Sequence, residues 1–118
     1  MQQIEKGEDT MLASFAVVPL GVTGGVKDLV AEALRIVDAS GLDYELGAMG
    51  TTMEGEPDRV METILACHRR LLELAPRVLT SITLDERRGA SGRLEGKVRD
   101  VEEILGKQLR RTPKRAEK

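Results

Sequence analysis

Two amphipathic helical patterns are joined by Tyr44-Glu45-Leu46-Gly47-Ala48-Met49-Gly50-Thr51-Thr52-Met53-Glu54-Gly55. This stretch reads as two short strands, 44–48 and 51–54, that meet near Gly50. Gly47, Gly50 and Gly55 punctuate it, and glycine in a strand marks a bulge or a close backbone approach. A hairpin between two helices leaves few ways to build the rest of the chain, and the flanking segments narrow them further.

Upstream, Met11 to Leu20 is an apolar run broken only by Ser14. Its length and its Val17-Val18 ending predict a strand buried on both faces, or on one face and in a subunit contact. Pro19 is expected to end it, having no N–H for a ladder. Gly21 to Gly25 is a turn in which Thr23 is the expected N-cap. Val26, Leu29, Val30, Ala33, Leu34 and Val37 then recur at helical spacing, and Ser40-Gly41 stops the helix, with Gly41 suited to a left-handed cap. Downstream of the hairpin, Pro57 suits a first helical turn, and Asp58 and Glu62 favour the positive end of that helix. Val60, Ile64, Cys67, Leu71 and Leu74 form its seam, with Met61, Leu65 and Leu72 beside it, and Pro76 ends it.

The clearest alternation follows: Val78, Thr80, Ile82 and Leu84 on one side of a strand, Leu79, Ser81, Thr83 and Asp85 on the other. After a charged loop, Val98, Val101, Ile104, Leu105 and Leu109 predict an amphipathic helix starting between Leu94 and Lys97. The order strand, helix, strand, strand, helix, strand is that of a ferredoxin-like βαββαβ sandwich. That is an α+β fold: a four-stranded antiparallel sheet with two helices on one face, plus a C-terminal helix. Its other face receives one side of the apolar first strand, and is expected to pack on a second subunit and leave a groove lined by Thr, Ser and carboxylates.

Composition sets outer limits. The 118 residues fit one domain, read as a flexible extension (1–10), a folded unit (11–106) and a basic tail (107–118). Aromatic residues make up 2%, so aromatic stacking cannot be the main grip on a ligand or on single-stranded nucleic acid. One Cys excludes an internal disulfide, and one His excludes a multi-histidine metal site. No apolar run reaches the roughly 20 residues of a membrane span, and residues 1–10 lack the apolar centre of a secretory signal. A cytoplasmic location is expected. The tail carries Lys107, Arg110, Arg111, Lys114, Arg115 and Lys118 against Glu117. It is short and without aromatics, so it reads as a solvated terminus rather than a nucleic-acid arm.

Chemistry could sit in few places. Thr51, Thr52 and Glu54, with Glu45 on the preceding strand, combine hydroxyls that donate and accept with carboxylates that attract a cation or an amino group. Ser81, Thr83 and Asp85 repeat that combination. From the pattern alone, ordinary hairpin and strand chemistry is the favoured reading of both sets. Gly21 to Gly25 lacks the dinucleotide fingerprint and the phosphate-loop lysine, so it reads as a capping turn. His68 has no second His or well-spaced acid, and reads as a packing or surface residue. Cys67 reads as a small buried hydrophobe. No Ser/His/Asp or Cys/His set can be assembled from spacing.

Three segments together resemble the thiamine-binding protein family, the YkoF-like group. They are Val17-Val18-Pro19-Leu20-Gly21, the Tyr44 to Gly55 run, and Ser81-Ile82-Thr83-Leu84-Asp85-Glu86-Arg87-Arg88 followed by Leu94-Glu95-Gly96-Lys97-Val98. The resemblance implies a ferredoxin-like fold and homo-oligomers, dimers or tetramers, built through sheet faces. It also implies binding of thiamine or its pyrimidine portion without catalysis, for storage, delivery or sensing. The ligand-binding residues it suggests are Thr51, Thr52 and Glu54, with Glu45 and Met49. No metal or further cofactor is implied. The competing readings are a small enzyme on the same fold, or an interaction homo-oligomer with no small-molecule ligand.

Overall fold

The computed structural model describes residues 9–110. Most of the expected extension and of the basic tail therefore lies outside the described residues. The elements are β1 (Met11–Leu20), α1 (Val26–Ala39), β2 (Asp43–Gly47), β3 (Gly50–Gly55), α2 (Pro57–Leu74), β4 (Arg77–Glu86) and α3 (Arg93–Leu105). They form one antiparallel sheet in the order β2-β3-β1-β4, the ferredoxin-like arrangement predicted from the alternation of periodicities.

The central strand β1 decides the two faces. Met11, Ala13, Phe15 and Val17 point to α1 and α2 and are buried with Met53, Ala33, Val37, Val60, Ile64, Cys67 and Leu71. This core is almost entirely aliphatic, as the composition requires. Of the intervening residues of β1, which face the opposite side, Ser14 and Val18 are exposed and only Leu12 is buried, so most of the strand is not buried on both faces within one chain. β1 continues through Pro19 to Leu20 rather than stopping at the proline. β3 pairs with it only as far as Phe15↔Thr51, and beyond that point β1 is an edge on that side, where proline is tolerated.

The helix boundaries follow their local signals at α2 and differ at α1 and α3: α3 starts at Arg93, just before the expected Leu94 to Lys97, and ends at Leu105, short of Leu109. α2 opens on Pro57, after Glu56 caps it by accepting the N–H of Asp58 at 2.7 Å. α1 begins later than a Thr23 cap would allow: Gly25, in a left-handed conformation, holds the N-cap position without a side-chain hydrogen bond. Gly41 has φ +77, as the left-handed stop requires.

α3 lies on the sheet face opposite α1 and α2. It covers only the end of that open face where β1 begins and β3 and β4 finish. None of its residues is buried, so its own apolar stripe does little to hold it. Specific polar contacts to the sheet do so instead.

Candidate functional site

The register aligns side chains across the open face. Glu45 pairs with Thr52, Thr52 with Ser14, and Ser14 with Thr83, so four polar residues from four strands stand in one row. The next row towards α3 is Asp43, Glu54, Leu12 and Asp85. α3 rests on this second row and overhangs the first. Between helix and sheet is a cavity of about 400 Å³, lined by Ser14, Thr52, Thr83, Glu45 and Asp85 from the sheet and by Arg93, Leu94, Lys97 and Val98 from α3.

Two carboxylates anchor the roof. Glu54 is only 5% exposed. It accepts the Thr10 hydroxyl at 2.6 Å and the backbone N–H groups of Arg93 and Leu94 at 2.8 and 3.0 Å. These are the first two N–H groups of α3, which have no partner inside the helix, and the carboxylate also meets the positive end of the helix dipole. Burial by itself would raise the Glu54 pKa. The three hydrogen bonds and the nearby Arg93 charge outweigh it and hold the carboxyl below its ordinary range. Asp85 receives both arms of the Arg93 guanidinium, at 3.0 and 3.1 Å, and Lys97 at 3.3 Å. The Arg93 hydrogen bonds, reinforced by Lys97, hold its carboxyl low as well.

The site residues suggested by the sequence are dispersed by this geometry. Thr52 and Glu45 line the groove. Glu54 lies on the same face but is committed to the start of α3. Thr51 points the other way, 3% exposed and packed on the helix side beside Phe15. Met49 sits at the hairpin tip, 93% exposed, and is not among the groove residues. From the second cluster, Thr83 and Asp85 join the groove, whereas Ser81 stands one row further along β4 and outside it. Sequence reasoning did not place Ser14 or the α3 residues in the site. Ser14 had a signal, as the single polar break in an apolar strand.

The other chemically distinctive side chains are on the far side of the sheet. His68 Nδ1 is 2.7 Å from the Thr80 hydroxyl. Cys67 is fully buried with its Sγ 3.3 Å from the Ala33 carbonyl. No group of three or more His, Cys, Asp or Glu among the described residues is arranged to hold a metal ion, and no described helix is long and apolar enough to cross a membrane.

Comparison with known proteins agrees with this architecture. The family model described as "Thiamine-binding protein" matches residues 13–102. UPF0045 protein Mb1933 of Mycobacterium bovis is 38% identical over 97 residues, covering 81% of this chain and 95% of that protein. Among solved structures, the hypothetical protein MJ1052 of Methanocaldococcus jannaschii superposes with a TM-score of 0.73 at 29% identity, covering 80% of this chain and 97% of the other. A Thermotoga maritima protein named for a role in thiamine biosynthesis or salvage superposes with a TM-score of 0.70 at 27% identity, covering 78% and 98%. The chain belongs to the thiamine-binding protein family.

Proposed function

We propose that the groove beneath α3 binds thiamine, or the aminopyrimidine portion of it, without catalysing a reaction, and so serves storage, delivery or sensing of the vitamin. The observation that carries this reading is the row of Ser14, Thr52 and Thr83 hydroxyls under one roof, flanked by the carboxylates of Glu45 and Asp85. An aminopyrimidine offers ring nitrogens that accept and an amino group that donates, and hydroxyls can answer both. The thiazolium carries a positive charge, which favours a carboxylate. Leu94 and Val98 supply an apolar lid for a flat ring, and the cavity volume falls within the range of small-molecule sites, roughly 300–1,000 Å³. The family and the Thermotoga neighbour support the same ligand class.

A non-catalytic role fits the placement of His68 and Cys67 on α2, with the sheet between them and the groove. The part of the open face that α3 leaves uncovered, with Val18 and Leu79 exposed, supports the packing of a second copy on that face.

Calorimetric and thermal-shift titration with thiamine, its phosphates and the free aminopyrimidine tests the reading. Ligand at about 100 times its dissociation constant should stabilise the protein by about 2.7 kcal/mol, and Thr52→Val should weaken the effect. No shift with any of these ligands, in folded protein, would overturn it in favour of an interaction oligomer without a small-molecule ligand.

A further inference from the structure

The groove beneath α3 carries opposite charge at its two ends. At the β4 end the Asp85 carboxylate meets two cations, the Arg93 guanidinium at 3.0 and 3.1 Å and the Lys97 amine at 3.3 Å. One negative charge faces two positive ones, so this end is net basic. At the β2 end the groove continues past Glu45 and Leu94 into an annex of about 540 Å³ beside the first turns of α3. There Asp43, Glu45 and Glu95 stand against the guanidinium of Arg99, which Glu95 holds at 3.4 Å. The annex is net acidic however those groups pair. Glu54 borders it too, with its charge directed to the first N–H groups of α3. The strand order β2-β3-β1-β4 puts roughly 14 Å between the ends, more than the Debye length of about 8 Å at physiological salt. Each end therefore acts on its own part of a ligand.

We propose, resting on the thiamine reading above, that the groove takes the unphosphorylated vitamin in one orientation, aminopyrimidine over Ser14 and Thr83 and thiazolium towards Glu45 and the acidic annex, and that it rejects the phosphate esters. The thiazolium carries a fixed positive charge. It is attracted by the annex and repelled by Arg93 and Lys97. The aminopyrimidine has no fixed charge. Its ring nitrogens accept, and the Lys97 amine only donates; its amino group donates, and the Ser14 and Thr83 hydroxyls accept. The hydroxyethyl arm that the phosphate esters extend is on the thiazolium, so in this orientation it enters the annex. A phosphate there sets a charge of about −1.5 to −2 among three carboxylates. Asp43 and Glu95 are both exposed, so water and salt damp the effect, and the preference is several-fold and greatest at low ionic strength.

Titration calorimetry of the full chain with thiamine, thiamine monophosphate and the free aminopyrimidine, at low and at physiological salt, tests this. Thiamine should bind at least about five-fold more tightly than the monophosphate at low salt, and the gap should narrow as salt is added. A purely steric exclusion would not respond to salt. Glu95→Lys, at an exposed position, should weaken thiamine binding, tighten monophosphate binding, and change aminopyrimidine affinity far less than either. Asp43→Asn should act in the same direction by a smaller factor. Monophosphate binding as tight as that of thiamine overturns the proposal and leaves the vitamin reading standing, with the phosphate assigned to Arg93 and Lys97. A Glu95→Lys chain that weakens thiamine and aminopyrimidine equally places the pyrimidine at the β2 end and also overturns it. Absence of binding by all three ligands, in folded protein, overturns the vitamin reading and this proposal together.

Discussion

The carboxylate of Glu54, on β3, accepts the backbone N–H of Arg93, the first residue of α3, at 2.8 Å. The same side chain takes the next N–H of the helix, and Arg93 in turn grips Asp85 on β4. A helix with no buried residue is thus held over the sheet by polar contacts to two strands. The groove exists because of them.

Removal of the Glu54 charge should loosen α3 before it unfolds the sheet. Glu54→Gln retains the shape but weakens the charge-assisted bonds, with an expected cost of about 1–3 kcal/mol. Denaturant unfolding measures the loss. Hydrogen exchange should show it concentrated in residues 93–105, and a uniform loss of protection would contradict the anchoring role.

Acid should act through the same contacts. Glu54 and Asp85 both have folded pKa values below their ordinary 4.5 and 3.8. Their stabilisation is complete above those ordinary values and is lost as pH falls through the lower folded ones. α3 protection should therefore hold at neutral pH and decline below about pH 4.5. In Glu54→Gln with Asp85→Asn the decline should be much shallower, as followed by exchange or limited proteolysis of the loop at residues 87–92.

Ligand binding should separate the neighbouring threonines. Thr52→Val removes a hydroxyl from the groove and should weaken thiamine binding several-fold, a neutral hydrogen bond being worth about 0.5–1.5 kcal/mol. Thr51→Val, on the other face, should leave affinity nearly unchanged, and so should Met49→Ala. Titration calorimetry of the three variants checks this. An affinity loss confined to Thr51→Val would place the ligand elsewhere.

Cys67 should be chemically silent in the native protein. Burial pushes its thiol up to about 11, and its side chain is inaccessible. A thiol reagent at neutral pH should react only after denaturation, and fast modification of folded protein would show that α2 opens.

Gly50 should tolerate no side chain. Its φ is +153, and a Cβ there would lie 2.8 Å from the Phe15 carbonyl oxygen. Gly50→Ala combines an unfavourable backbone angle with a clash against the central strand, and should cost more than about 1 kcal/mol. Thermal unfolding measures it.

The order of elements, the alternation of β4 and the aliphatic core were legible in the sequence, because helical and strand periodicities are local and the hairpin leaves one simple topology; which hairpin residues turn inward was not, and Met53 lies in the core rather than on the open face. Ser14, Thr52, Thr83 and Glu45 were each visible as polar residues on a strand, and Thr83 and Asp85 as neighbours on one face. A groove of Thr, Ser and carboxylates was expected on the open face, but not which residues enter it, because residues from four strands become neighbours only through the register, which the whole sheet decides. Thr51 and Thr52 are adjacent in sequence yet end on opposite faces, since strand side chains alternate. The placement of α3 belongs entirely to the tertiary structure. Its apolar stripe is compatible with many docking sites, and the choice among them is made by a buried carboxylate meeting two backbone N–H groups that lie far along the chain.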